Sequence, residues 1–422
     1  MRSDSEVRII EGPCGKGSGI SFAGFRSLLR PNLHSKVSIV TEHNPSRRHF
    51  LAAAGLTALT LQARSADNPP LAPPESQSPD AKLPDAPVKP LGWAVVGLGK
   101  LAIEEVMPAF ALCHQTKPVA LVSGHPDKAR RIADAYGIDA KKIYGYDNFD
   151  KIADDPAIDI VYIILPNSMH AEYTIRALKA GKHVLCEKPM AATVAECTAM
   201  NRAAAEAKRQ LMIAYRLRYE PFNMTAIDLC RKGELGKLRS ISATNGQNVQ
   251  APNIRLSKAL AGGPVGDVGI YCLNAARYLT GEEPVEVTAI AQQPADDPRF
   301  REVPESVAFT LKFPSGVIAN CDCSFGSAES RRFRVDGTTG VLDLADAFAY
   351  RGQRMTVGKT GAVSELKIAP ANHFTAEMDH FSSCVASGKP CRTPGEEGLA
   401  DMKVIAAIEE AIRTGRKVTM PG

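Results

Sequence analysis

From residue 91 onward, apolar residues fall into two regimes. As far as about residue 216 they form short, nearly unbroken runs at 92–96, 117–124, 159–165, 182–186 and 211–216, with a weaker segment at 144–146. Such runs are strands buried on both faces. Between them apolar positions recur at helical spacing, predicting helices from about 100 to His114 and at 127–136, 148–153, 169–180 and 193–208. This alternation predicts a parallel sheet with right-handed crossovers. From about 238 the period shortens to two. KLRSISATNG, VEVTAIAQ, SVAFTLKF, GVIANCDCSF, RRFRVDG and GVLDL read as strands, with hairpin turns at FPSGV and VDGTTGV. They predict an open, mainly antiparallel sheet, one face covered by helices near 222–232 and 268–279. The free face suits pairing between subunits, so a homo-oligomer, dimer or tetramer, is expected. Two amphipathic helices end the chain, with Gly388 and Gly415 at their C-terminal ends. The fold class expected is α/β, with an α+β C-terminal part.

The chain before residue 91 follows neither regime. Ser46-Arg47-Arg48-His49-Phe50-Leu51 opens a moderately apolar stretch that runs to Ala63. This is the plan of an export signal, and the arginine pair specifies the route for folded cargo. The stretch is shorter than the ~20 residues of a membrane span. Residues 1–66 are read as a twin-arginine signal region, and the protein as periplasmic. Pro69, Pro70, Pro73, Pro74, Pro79, Pro84, Pro87 and Pro90 make 67–90 an extended arm. Composition changes this picture little: 44% apolar and 23% charged is ordinary for a globular protein. The net charge of +5 lies partly in the first 50 residues, which leaves no basic surface for nucleic acid. The 10 cysteines are scattered and form no disulfide framework. Cys321 and Cys323 share one face of a strand but lack Cys/His partners at metal spacing, so no metal is expected.

Chemistry enters at Gly97-Leu98-Gly99-Lys100-Leu101-Ala102, between the first strand and the first helix. In Gly-x-Gly-x-x-Ala the first glycine permits a tight turn and the second lets backbone approach a pyrophosphate. The alanine packs helix on strand. A dinucleotide-binding Rossmann domain over 91–216 is expected, followed by a substrate and oligomerisation domain over 217–422. The second strand ends at Ser123-Gly124, where an NAD site would carry an acidic residue for the ribose 2′-hydroxyl. A hydroxyl there, followed by Lys128, suits a 2′-phosphate and hence NADP. Lys128 also reads as a solvated helix residue. Ligands of such sheets bind beyond the strand C-termini; here those are Gly97, Ser123, Pro166-Asn167, Glu187-Lys188 and Tyr215-Arg216.

The segments VVGLGKLA, LPNSMHAEYTIRALKAGKHVLCEKPMA and GGPVGDVGIYCLNAARYLTGEEP, in order over about 91–415, resemble the Gfo/Idh/MocA oxidoreductase family. The resemblance is greatest to its periplasmic glucose–fructose oxidoreductase branch, to which the leader and proline arm are also similar. It implies that Lys188 of Glu-Lys-Pro assists at the reacting hydroxyl, that Tyr271 is the acid/base where most relatives carry His, and that Asp267 anchors a sugar hydroxyl. Asp267 and Tyr271 share a face if one helix runs through to Leu279. A phenol ordinarily titrates near ~10, so it needs an ammonium beside it. The residues alone also allow Lys188 to pair with Glu187, and Tyr271 to be a half-buried helix aromatic. Arg216 and Tyr219 resemble residues near the cofactor and the sugar. Asn167 and His170 would hold the nicotinamide ribose side, although His170 suits capping or packing equally well. Tyr146, Leu165, Gly124, Lys100 and Glu187 complete the implied cofactor contacts, with Tyr350 a weaker one. Segments 245–254 and 344–370, which shape the sugar site and cofactor cover in that branch, are shorter here. The implied activity oxidises an aldose at C1 to a lactone and passes the hydride through tightly bound NADP to a second sugar, a ketose or another aldose. Small sugars are the expected partners, and nucleic acid and membrane are not. A sugar dehydrogenase with exchangeable NAD(P) and a non-catalytic nucleotide-binding protein are the alternatives.

Overall fold

Six strands form a wholly parallel sheet: β1 (Leu91–Val96), β2 (Thr116–Val122), β3 (Ile143–Tyr144), β4 (Ile160–Ile163), β5 (His183–Glu187) and β6 (Leu211–Ala214). Their order, 3-2-1-4-5-6, is that of a dinucleotide-binding sheet. The computed structural model describes residues 89–359 and 361–420. The leader, and the proline arm apart from its last two residues, lie outside them. The period of two along β1 sorts its side chains between two cores. Trp93 and Val95 face a cluster with Phe110, Ala133, Phe374, Met378 and Phe381. Ala94 and Val96 face a core that continues into the second half of the chain.

The helix that supplies Phe374, Met378 and Phe381 is His373–Ser387, from near the chain's end. It is bonded to the first sheet as well as packed on it. Asp379 accepts from the backbone N–H groups of His114 and Gln115 at 2.8 and 2.9 Å and from the Thr116 hydroxyl at 2.9 Å. The Trp93 indole donates to Ser382 at 3.0 Å.

The second sheet has nine strands: β7 (Leu238–Asn248), β8 (Glu286–Gln292), β9 (Ser306–Lys312), β10 (Ile318–Ser324), β11 (Gly326–Gly337), β12 (Gly340–Ala345), β13 (Arg354–Lys359), β14 (Ala362–Leu366) and β15 (Val418–Thr419). The order is 14-13-12-11-7-10-9-8-15, antiparallel except for β7 against β10. Cys321 and Cys323 on β10 are buried while Asp322 between them is exposed, as strand alternation requires. Helices Pro221–Arg231 and Ile270–Thr280 lie close to where they were expected. One expectation needs correction. The stretch before Ile270 does not continue as α-helix: Val265–Gly269 is a π-turn, closed by a bond from Ile270 N–H to the Val265 carbonyl. A similar turn, Ala102–Val106, opens the first helix, where Pro108 has no N–H to extend an α pattern. Among the described residues no helix is long and apolar enough to cross a membrane.

Candidate functional site

The glycine turn fits a dinucleotide. Gly97 has φ +91°, and a Cβ there would lie 2.2 Å from the Ile164 carbonyl oxygen and 2.9 Å from Leu165 Cδ2, so only glycine makes this turn. A Cβ on Gly99 would meet nothing within 4 Å, which leaves open space at the start of the helix. Leu98 is turned into the core, and its carbonyl accepts from Lys128 Nζ at 3.1 Å. Lys128 is thereby tethered beside the turn. Lys100 is exposed, 3.8 Å from Glu104. At the end of β2, the Ser123 hydroxyl accepts from His125 N–H at 3.0 Å. Gly124 lies against Tyr146, whose Cε2 would be 3.3 Å from an added Cβ. Asn167 donates to the Ala261 carbonyl at 2.9 Å, tying the turn after β4 to a loop of the second half.

His170 is not free to touch a ligand. It is fully buried, with Nδ1 2.8 Å from the Pro189 carbonyl and Nε2 2.9 Å from the Leu165 carbonyl. Burial pushes its pKa down against those two acceptors. The ring braces the turn after β4 against the Glu-Lys-Pro turn. Of the two expectations for His170, packing holds and cofactor contact is corrected.

Lys188 leaves the end of β5 and reaches across to the second half. Its ammonium donates to the Asp267 backbone carbonyl at 2.8 Å and lies 3.7 Å from Asp267 Oδ1. It also sits 4.6 Å from the centre of the Tyr271 ring. Glu187 is not its partner. That carboxylate accepts from the Tyr162 hydroxyl at 2.8 Å and from the Lys188 backbone N–H at 3.2 Å, and burial pushes its pKa up. Arg216 also lies over Tyr271, 5.1 Å from its ring centre, and 4.6 Å from that of Tyr350. Arg216 is buried and donates to the carbonyls of Phe348 at 2.7 Å and Ala349 at 3.3 Å. Phe348 stacks on Tyr271 at 5.9 Å. Five of the expected residues, Lys188, Asp267, Tyr271, Arg216 and the weaker candidate Tyr350, are thus in one cluster.

Burial alone would raise the Asp267 carboxyl, but Arg255 and Lys188 outweigh it and hold Asp267 below the usual carboxylate range. Arg255 Nε lies 2.7 Å from Asp267 Oδ2, and Gln247 donates to the same oxygen at 3.2 Å. Neither residue was foreseen. They stand 12 and 20 positions before Asp267, on a loop and a strand end without motif, so only the fold joins them.

Tyr219 is a second correction. Its hydroxyl points at Met212 Sδ, 3.7 Å away, and Arg392 covers its ring at 4.6 Å. It is buried with the Trp93 cluster, where a large ring gains more than in a water-filled cleft. Beside that cluster lies Glu377, fully buried, with neither oxygen hydrogen-bonded among the described residues.

The two halves match two parts of one family. Residues 91–215 match "Oxidoreductase family, NAD-binding Rossmann fold", and residues 224–343 match "GFO/IDH/MocA C-terminal domain". The chain belongs to the Gfo/Idh/MocA oxidoreductase family. It is an oxidoreductase with an NAD(P)-binding Rossmann domain. Among Gfo/Idh/MocA relatives, D-xylose 1-dehydrogenase [NADP(+)] of Haloarcula marismortui is 30% identical over 78% of this chain and 93% of its own length. The 1,5-anhydro-D-fructose reductase of Ensifer adhaerens is 29% identical over 77% of this chain and 97% of its own. A solved structure, the aldose-aldose oxidoreductase from Caulobacter crescentus complexed with glycerol, is 45% identical, with a TM-score of 0.77 over 79% of this chain and all of that one.

Proposed function

We propose that this oxidoreductase acts on sugars, oxidising an aldose at C1 to a lactone and returning the hydride to a second sugar, aldose or ketose, through NADP that does not leave. The observation that carries the reading is Lys188, reaching from a strand end of the nucleotide half to lie between Asp267 and the face of Tyr271. The 45% identity to an aldose-aldose oxidoreductase supports the chemistry. NADP rather than NAD is supported by Ser123 at the end of β2, where an NAD site would carry an acidic residue, and by Lys128 tethered beside the glycine turn.

A dinucleotide held at the Gly97–Gly99 turn with Lys128 beside it would supply the hydride acceptor and donor. The protein's own groups handle the proton. Tyr271 takes it from the sugar hydroxyl and returns it in the second half-reaction. To take that proton Tyr271 must be a phenolate, and positive charge on Lys188 and Arg216, 4.6 and 5.1 Å from the ring centre, stabilises that form before the proton is taken and after it is returned. Asp267, held ionised, accepts from a sugar hydroxyl and sets its orientation. We also propose export by the twin-arginine route, which carries the enzyme out folded. Changing Arg47 and Arg48 to lysine should remove it from the periplasmic fraction, and unchanged secretion would end that part of the proposal.

Protein desalted after purification should retain nicotinamide absorbance and interconvert a pair of sugars with none added. Empty protein that needs added NADP favours the dehydrogenase reading instead. Lys188→Ala should keep its nucleotide and lose at least ~100-fold in turnover. Wild-type rates in that variant remove Lys188 from the chemistry.

A further inference from the structure

Arg255 differs from the other cations of the site. Arg216 is buried on two backbone carbonyls, and Lys188 donates to the Asp267 carbonyl. Arg255 uses only Nε, on Asp267 Oδ2. Its two terminal nitrogens have no hydrogen-bond partner among the described residues, and its side chain is 43% exposed. Asp267, at 17% exposed, and Lys188, at 11%, lie just inside it.

The backbone beneath Arg255 is fixed. Its N–H donates to Asn253 Oδ1 at 3.1 Å, and its carbonyl accepts from Gly263 N–H at 2.9 Å. A Cβ on Gly262 would lie 2.4 Å from that carbonyl oxygen, so glycine is needed for the loop to close on itself. Asn167 holds the same loop to the nucleotide half through Ala261. Arg255 is therefore a guanidinium anchored at one nitrogen with its fork left open at the mouth of the cluster. An oriented fork binds planar oxyanions in bidentate fashion and does so better than it binds single hydroxyls. Charge favours the same ligand. Lys188, Arg216 and Arg255 face one ionised carboxylate, Asp267, while burial of Glu187 opposes a second.

We infer that Arg255 is a specificity-determining residue that lets this site bind sugar acids, with the ligand's carboxylate on the free fork of Arg255 and its hydroxyls on Asp267. The inference rests on the reading of the cluster as a sugar site. It makes the open-chain acid formed when the product lactone hydrolyses a ligand of the enzyme that made it.

The test is equilibrium binding by titration calorimetry, on nucleotide-loaded protein whose content is checked at 260 nm. D-gluconate is compared with D-glucitol, the neutral polyol of the same length. Wild type should bind gluconate about tenfold more tightly or better. Arg255→Gln should bring the two affinities level while nucleotide content is unchanged, and Arg255→Lys should keep part of the preference, having charge but no fork. A wild type without preference, or a preference that survives Arg255→Gln, overturns the inference. The readout needs no turnover. Sugar interconversion without a gluconate preference sinks this inference alone, and an Arg255-dependent preference in a protein that turns over no sugar sinks only the proposed function.

Discussion

Glu377 shows how a single side chain can shape the whole molecule's response to pH. Its carboxyl is fully buried, without a hydrogen bond, and its pKa is pushed well up by burial and then by the nearby Glu187. In the folded state it stays protonated while the same group in the unfolded chain ionises above about pH 4.3. The unfolded state therefore holds fewer protons, and stability falls as pH rises, by up to ~1.4 kcal/mol per unit for this one group. Glu377→Gln carries no proton to lose, so its urea midpoint should decline less between pH 5 and 8 than that of wild type. Parallel pH profiles would show that Glu377 is ionised or solvated after all. The residue scale is also where the sequence spoke most unevenly. Lys188, Asp267 and Tyr271 stand in short patterns that carry the family resemblance, which is what implied their roles, and they meet in space. Arg255, Gln247 and Glu377 carry no pattern, because their roles come from neighbours far off in the chain. Tyr219 and His170 misled for the converse reason: both side chains can bind ligands, and both are spent on packing here.

Between elements, one buried cation holds the helix that carries Tyr271 in place. Arg277, on the helix with Tyr271, donates to Glu283 at 2.6 and 2.7 Å, to Glu397 at 2.8 Å and to Asp401. Asp401, fully buried on helix Gly395–Thr414, also accepts from Asn274 at 2.8 Å. Arg277→Met would strand that carboxylate and should cost ~3–5 kcal/mol. The double variant Arg277→Met/Asp401→Asn should recover part of the loss, since the stranded charge is then gone. A single variant within 1 kcal/mol of wild type in its denaturant midpoint, on the order of a surface pair, would mean that the network is not what fixes the helix. Element types were legible where the apolar period was clean, as along β1 and β9. The two π-turns were not, since one added residue in a turn leaves the apolar period almost unchanged.

For the whole molecule, the division into a nucleotide half and a sheet half hides a dependence. Helix His373–Ser387 comes after the second sheet is nearly complete and yet covers the first. Phe374, Met378 and Phe381 alone bury ~1.5–3 kcal/mol each. Together that approaches the ~5–15 kcal/mol that a folded protein has in hand. A chain stopped after Ala371 should therefore be insoluble or unable to keep nucleotide, even though every glycine-turn residue is present. Soluble, nucleotide-loaded protein of that length would show that the first sheet does not need the helix. Synthesis and folding then run in opposite orders. While the ribosome is still working, the first sheet waits with Trp93 uncovered, a surface for chaperones rather than for coenzyme. Closure has to wait until helix His373–Ser387 has been made, long after the strands it covers, so the glycine turn is complete in sequence well before the sheet that carries it is complete in structure.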